Sequence, residues 1–165
     1  MSIDKALFRQ VAGSFASGVT VITTGSEGSF HGMTASAFTS LSIDPTLVLV
    51  CVDKNARTLG ALHESQMFNV NILAADQEFF SRTFSSKDSP HAHGLVGIDY
   101  KLGELGLPIL DGVLAFFECR VVHELDGGDH IIFVGEVDNA GVGDIEDPLL
   151  YFRGRYRTVT ELPIT

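Results

Sequence analysis

Eleven consecutive residues, Gly32 to Ser42, read GMTASAFTSLS, with five hydroxyls and no charge. They lead through the apolar segment TLVLVCV, Thr46 to Val52, into DKNART, Asp53 to Thr58. Small side chains let a ligand lie close to the backbone. Their hydroxyls and amides can meet the polar edge of a planar heterocycle without adding charge. Lys54, Arg57 and Thr58 come next, beside a helix expected to begin near Asn55. Two cations, a hydroxyl and helix amides of partial positive charge could together hold a phosphate. By residue type alone, a barrel strand with Ser and Thr turned to solvent accounts for the stretch equally well.

Other chemistries lack their residues. A phosphate loop needs GxxxxGK[ST], and the chain has no Gly-Lys pair. The nearest string to a dinucleotide fingerprint, GVGDIE at Gly141 to Glu146, lacks the third glycine and runs into Pro148. A nicotinamide nucleotide would therefore bind without that fold. His63-Glu64 and His123-Glu124 do not extend to HExxH, and His91 and His93 have no Cys or carboxylate cluster nearby, so no metal site is expected. No GxSxG elbow marks a hydrolase.

At 165 residues and 45% hydrophobic content, the chain suits one domain, residues 1–165. Its apolar runs fall short of the roughly 18–20 residues of a membrane span, and MSIDKALFRQ lacks the order of a signal peptide. A soluble cytoplasmic protein with no membrane partner is expected. Cys51 and Cys119 sit in apolar segments without CxxC spacing and read as buried free thiols. A formal charge of −10 opposes nucleic-acid binding. Nine acids lie between Glu118 and Pro148, whereas Lys54, Arg57, Arg82 and Lys87 fall between Cys51 and Pro90, where they could form a local anion site.

The elements that would position these groups follow from periodicity. SIDKALFRQVAGSF has helical spacing after a Ser2 cap. GVTVITTG predicts a strand that turns at Gly25 to Gly28 into Phe30 to Met33, and Thr34 to Leu41 and Thr46 to Val52 predict two more, parted by Asp44-Pro45. KNARTLGALHES and AADQEFFSRTFSS predict short helices, the second with Phe80 and Phe84 on one face, MFNVNIL a strand, and Lys87 to Gly97 a mobile loop. The run from Gly112 to Val137 predicts a long hairpin turning at DGGD, with Val113, Ala115, Phe117, Cys119 and Val121 on one face and Glu118, Arg120 and Glu124 on the other. Many short strands and three short helices imply a mainly β, antiparallel barrel.

FASGVTVITT, GMTASAFTSLSIDPTLVLVCVDKNART, FNVNIL, GDHIIFVGEV and PLLYFRGRY together resemble the short-chain NAD(P)H:flavin oxidoreductases, the reductase components of two-component flavin monooxygenases. The resemblance spans nearly the whole chain. It implies an FMN-binding split β-barrel (a Greek key antiparallel barrel), usually a homodimer, which reduces FMN or FAD with NADH or NADPH and supplies reduced flavin to a flavin-dependent monooxygenase. A barrel this small leaves a flavin partly exposed unless a second subunit covers it, and the mean hydropathy is +0.23 despite the charge.

Carried over by motif, Met33, Thr34, Ala35 and Ser36 border the isoalloxazine. Ser40, Leu41 and Ser42 with Val52, Asp53 and Lys54 bind ring edge, ribityl chain and phosphate. Arg57 and Thr58 hold phosphate, and Phe84 packs on the flavin. His130, with Tyr151, Arg153 and Gly154 of YFRGRY, faces the nicotinamide nucleotide, His130 positioning it. A histidine there could also simply pair with Asp129 or Glu136 at a strand end, the less favoured reading. The chain departs from the family at Ser89 to Leu95, SPHAHGL, where relatives often carry a charged DRF-like sequence. A non-catalytic flavin-binding protein, or a flavoprotein oxidoreductase with a different acceptor, stays open.

Overall fold

The computed structural model describes residues 3–86, 95–145 and 147–160. The Ser2 cap, His91, His93 and most of the expected loop, 87–94, lie outside them. In chain order the elements are α1 Lys5–Ala12, β1 Ser17–Gly18, β2 Thr20–Ser26, β3 Ser29–Ala35, β4 Phe38–Ile43, β5 Thr46–Asp53, α2 Thr58–Ser65, β6 Met67–Ile72, α3 Glu78–Ser85, β7 Tyr100–Leu102, β8 Pro108–Leu110, β9 Ala115–Gly127, β10 His130–Val142, β11 Leu150–Phe152 and β12 Arg155–Arg157. The protein is mainly β with three short helices, as the sequence predicts. Among the described residues no helix is long and apolar enough to cross a membrane.

Seven strands form one antiparallel sheet in the order β3-β2-β6-β9-β10-β5-β4. The hairpin β9–β10 is its spine, closed by Gly128 and Asp129. It pairs outward with β6 on one side and β5 on the other. Asp44 and Pro45 join β4 to β5, as expected. A three-stranded sheet, β1-β11-β12, and the pair β7-β8 lie beside the main sheet.

Both faces of the central strands are covered. Val21 of β2 faces a cluster with Phe30, Leu73, Phe84, Leu107 and Leu110, whereas its neighbour Ile22 faces another with Val48, Val50, Leu62, Phe68 and Phe133. Fully burying Phe68 or Phe133 contributes about 1.5–3 kcal/mol each by removing apolar surface from water.

This double cover corrects one expectation. Glu118, expected on the outer face of β9, is 0% exposed. The segment joining β7 to β8 packs over that face, and the carboxylate accepts the N–H groups of Glu104 and Leu105 (both 3.1 Å) and Nδ2 of Asn139 (2.7 Å). Asn69 and Asn71 are buried for the same reason, donating to the carbonyls of Leu107 and Val21. Alternation separates two faces but does not say which is wet.

Two boundaries also move. The α1 cap is Asp4, whose Oδ2 accepts the Leu7 N–H at 2.9 Å. Thr34 and Ala35 end β3 rather than starting the next strand, because the hairpin register carries on to Thr20↔Ala35. Cys119 is buried, which pushes its thiol up to about 12, and Cys51 is half-buried.

Candidate active site

A cleft of about 240 Å³ opens where the end of β3, the start of α2 and the end of α3 meet. Gly32, Met33 and Thr34 form one wall, Asp53 to Thr58 a second, and Phe84 to Ser86 a third. Its walls are more apolar than polar. Thr34 Oγ1 donates to the Ser81 carbonyl at 2.7 Å, which fastens β3 to α3. Gly32 permits a close approach: a Cβ there would lie 2.6 Å from the Phe84 ring. Phe84 is accordingly 4% exposed, most of it seated in the core, where the α3 stripe predicted from Phe80 and Phe84 places it.

The second wall carries the charge. Asp53 Oδ1 accepts the Asn55 N–H at 2.7 Å and its Nδ2 at 3.1 Å, folding the chain into a tight turn before α2. The α2 N-cap is Arg57, whose own side chain makes no capping bond, and the first-turn amides of α2 lie beside the cleft. A guanidinium and helix amides in one wall can take an anion. Among the described residues no group of His, Cys, Asp and Glu is arranged to hold a metal ion.

Lys54, three residues before Arg57, goes elsewhere. Its Nζ lies 2.6 Å from Asp126 Oδ2 on β9, and that hydrogen bond holds the Asp126 carboxyl below the usual range. It does not line the cleft. His130 pairs in register with Asp53 across β10 and β5, which puts it beside the second wall. Its Nδ1 donates to Asp129 Oδ1 at 2.7 Å, and this bond holds Asp129 below the usual carboxylate range. Nε2 is then the nitrogen that can face a ligand.

A second, polar pocket of about 560 Å³ meets the cleft at Ser85. Glu78 and Arg82 of α3 form one side, and Tyr151, Gly154, Arg155 and Tyr156 of the β11–β12 hairpin the other. That hairpin turns on Arg153 (φ 49°) and Gly154 (φ 75°), the positive φ pair a two-residue turn requires. The Arg153 N–H donates to the Gly13 carbonyl at 2.9 Å, which anchors the turn against the end of α1.

Of the residues named from the sequence, Met33, Thr34, Asp53, Arg57, Thr58 and Phe84 meet in the cleft, and Tyr151 and Gly154 in the second pocket. Arg153 is exposed at its turn. Ala35 and Val52 are buried core, and Ser36 is exposed outside the cleft. Ser40, Leu41 and Ser42 lie on β4, the strand at the opposite edge of the sheet from β3. Gly32, Asn55, Ala56, Ser85 and Ser86 line the cleft without having been named. Gly32 opens the hydroxyl-rich stretch, and Ser85 and Ser86 follow Phe84 where the sequence marks only a helix end.

Residues 12–160 match the family model described as a flavin reductase like domain. The chain is 40% identical over 155 residues to the reductase subunit HsaB of a flavin-dependent monooxygenase from Rhodococcus jostii (strain RHA1), covering 94% of this chain and 78% of that protein. It is 39% identical over 156 residues to an NADH-dependent FAD reductase of Streptomyces globisporus, covering 93% and 85%. The solved structure of the flavin reductase PheA2 in its native state superimposes with a TM-score of 0.84 at 41% identity, covering 96% of this chain and 100% of that one.

Proposed function

The chain belongs to the flavin reductase family, and we propose from that premise that it catalyses NAD(P)H-dependent reduction of FMN or FAD and hands the reduced flavin to a flavin-dependent monooxygenase component. One observation carries this reading to particular residues: the cleft joins a wall of Gly32, Met33 and Phe84 to the helix start that bears Arg57 and Thr58. A planar, largely apolar ring system that ends in a phosphate fits both parts. Flavin bound there supplies the hydride acceptor, and the nicotinamide nucleotide supplies the hydride.

The protein's own residues bind and orient. The missing side chain at Gly32 lets the Phe84 ring seat against β3 and leaves the cleft open to a flavin ring, while Met33 and Phe84 exclude water from that ring's face. Arg57, Thr58 and the α2 amides take the phosphate. Asp53 beside them sets a limit on affinity for the anion, consistent with a flavin that must leave reduced. His130, oriented by Asp129, positions the nicotinamide nucleotide through Nε2, close enough for near-attack geometry to assist the transfer.

We further propose a single split-barrel domain that works as a homodimer in the cytoplasm. Support for the dimer comes from α1, which buries none of its residues and exposes Leu7, Phe8 and Val11 together, with Phe15 83% and Ile43 91% exposed nearby in sequence or on β4. Large apolar side chains left out on an otherwise acidic chain are stabilised by a second copy. The two free thiols suit a reducing compartment.

The test is oxidation of NADH and of NADPH, followed by nicotinamide absorbance, with excess FMN and with excess FAD. Turnover that saturates with flavin supports the reading. Background rates in all four combinations would end it.

A further inference from the structure

The second pocket is built from the groups that recognise a nucleotide, and one pair of them bears on which nucleotide enters. Tyr156 forms an aromatic floor, its hydroxyl 2.9 Å from Ser81 Oγ, with Tyr151 edge-on to it at 5.4 Å. The Arg82 guanidinium lies over the Tyr156 ring, 5.0 Å from its centroid. Arg82 also gives two nitrogens, Nε and Nη2, to Glu78 Oε1, each at 2.6 Å. Its charge is thereby matched within the pocket wall. Arg155 lines the same pocket and is in no ion pair among the described residues.

The chemistry of this arrangement is asymmetric. One matched Arg–Glu pair and one further arginine leave a single net positive charge facing the pocket, in a chain whose net charge is −10. The pocket therefore suits one phosphate-bearing segment and an aromatic base. A carboxylate accepts hydrogen bonds from a ribose diol, and it repels a phosphate esterified to that diol. The cleft next door, joined at Ser85, already takes the two rings between which hydride passes, so the remote half of the nicotinamide dinucleotide has the polar pocket as its neighbouring space.

We infer that the second pocket receives the adenosine end of the nicotinamide nucleotide, and that Glu78, by holding Arg82 and presenting its carboxylate, selects NADH over NADPH. This rests on the reductase reading above. It adds a specificity residue, Glu78, which acts on the 2′ position of a ribose remote from the reacting atoms. Arg155 binds the phosphates common to both nucleotides, and Arg82 becomes a 2′-phosphate ligand only once Glu78 no longer neutralises it.

The experiment uses the full chain, with Glu78→Gln, Arg155→Ala and the double variant Glu78→Gln with Arg82→Ala. All three positions are on the surface, and thermal melts of each variant show whether the fold is retained. Two readouts run in parallel: kcat/KM for NADH and for NADPH at saturating FMN, and calorimetric binding of adenosine 5′-monophosphate against adenosine 2′,5′-bisphosphate, which needs no turnover. Wild type favours NADH and the monophosphate. Glu78→Gln raises kcat/KM for NADPH and affinity for the bisphosphate by about tenfold, as expected for one charge-assisted hydrogen bond gained. NADH and the monophosphate weaken by about three- to tenfold, since their ribose diol loses its carboxylate acceptor. The double variant loses the gain, and Arg155→Ala weakens both ligands alike.

The inference is overturned if the ratio of bisphosphate to monophosphate affinity stays the same in Glu78→Gln, or if the double variant keeps the gain. Absence of flavin reduction in wild type, by contrast, removes the reductase reading itself. Flavin reduction with an unmoved nucleotide ratio removes only the role given to Glu78.

Discussion

The two halves of the hydroxyl-rich stretch meet different fates. Gly32 to Thr34 end a strand at one edge of the seven-stranded sheet and form a wall of the cleft, whereas Ser40 to Ser42 lie on the strand at the other edge. Both are short and uncharged, and their uses are separated by five residues and a change of strand partner. The same lesson holds for the two cations that follow. Arg57 lines the cleft, but Lys54 is turned onto the acidic β9–β10 hairpin and paired with Asp126. Position in the sheet order, more than residue type, decides which of these groups can reach a ligand.

The largest expected effect breaks the first half of the stretch. A side chain at Gly32 collides with Phe84, so Gly32→Val displaces the ring into the cleft. Overpacking of this kind costs about 1–3 kcal/mol of stability, and flavin binding should fall below detection in a fluorescence titration. Urea unfolding separates the two losses.

Next is Arg57→Ala. If the guanidinium holds the flavin phosphate, the dissociation constant for FMN should rise by about 10–100-fold while that for riboflavin barely moves. Equal changes for both ligands would place Arg57 outside phosphate recognition. His130→Ala should raise the Michaelis constant for NADH by about 3–10-fold, the worth of one neutral hydrogen bond, with FMN affinity nearly unchanged. A mutant whose main defect is flavin loss would move His130 to the other half of the site.

Much of this was readable in the chain. Helices α2 and α3, the β2–β3 hairpin and the long β9–β10 hairpin follow from local periodicity and turn chemistry, and all are present. The α3 stripe placed Phe84 correctly because helix spacing is a local property. What the sequence withheld is non-local. The burial of Glu118 depends on a segment more than ten residues away folding over its face, and the strands β7, β8, β11 and β12 are three residues each, too short for a period to register. The separation of Lys54 from Arg57 required knowing that Asp126 arrives opposite the end of β5, a register fact. Residues named by the resemblance on β3, α2 and α3 line the cleft, but it could not show that those on β4 lie on the other edge strand of this protomer's sheet.

The smallest effects complete the comparison. Lys54→Ala should change FMN affinity by less than about threefold, since an exposed ion pair contributes little and its ammonium already has a partner. Ser40→Ala with Ser42→Ala should do less still, within about twofold, the scale of a surface substitution away from any buried feature. A larger loss in that double variant would show that the β4 hydroxyls reach a flavin through a second copy of the chain, and would join the two halves of the stretch again.

The central claim, that the cleft brings nicotinamide and flavin together for hydride transfer, is tested most directly by single-turnover mixing without oxygen. Protein carrying FMN is mixed with excess NADH, and the visible flavin absorbance is followed. The account predicts complete bleaching at a rate that saturates with NADH and far exceeds that of free FMN. Bleaching no faster than in buffer alone would contradict it.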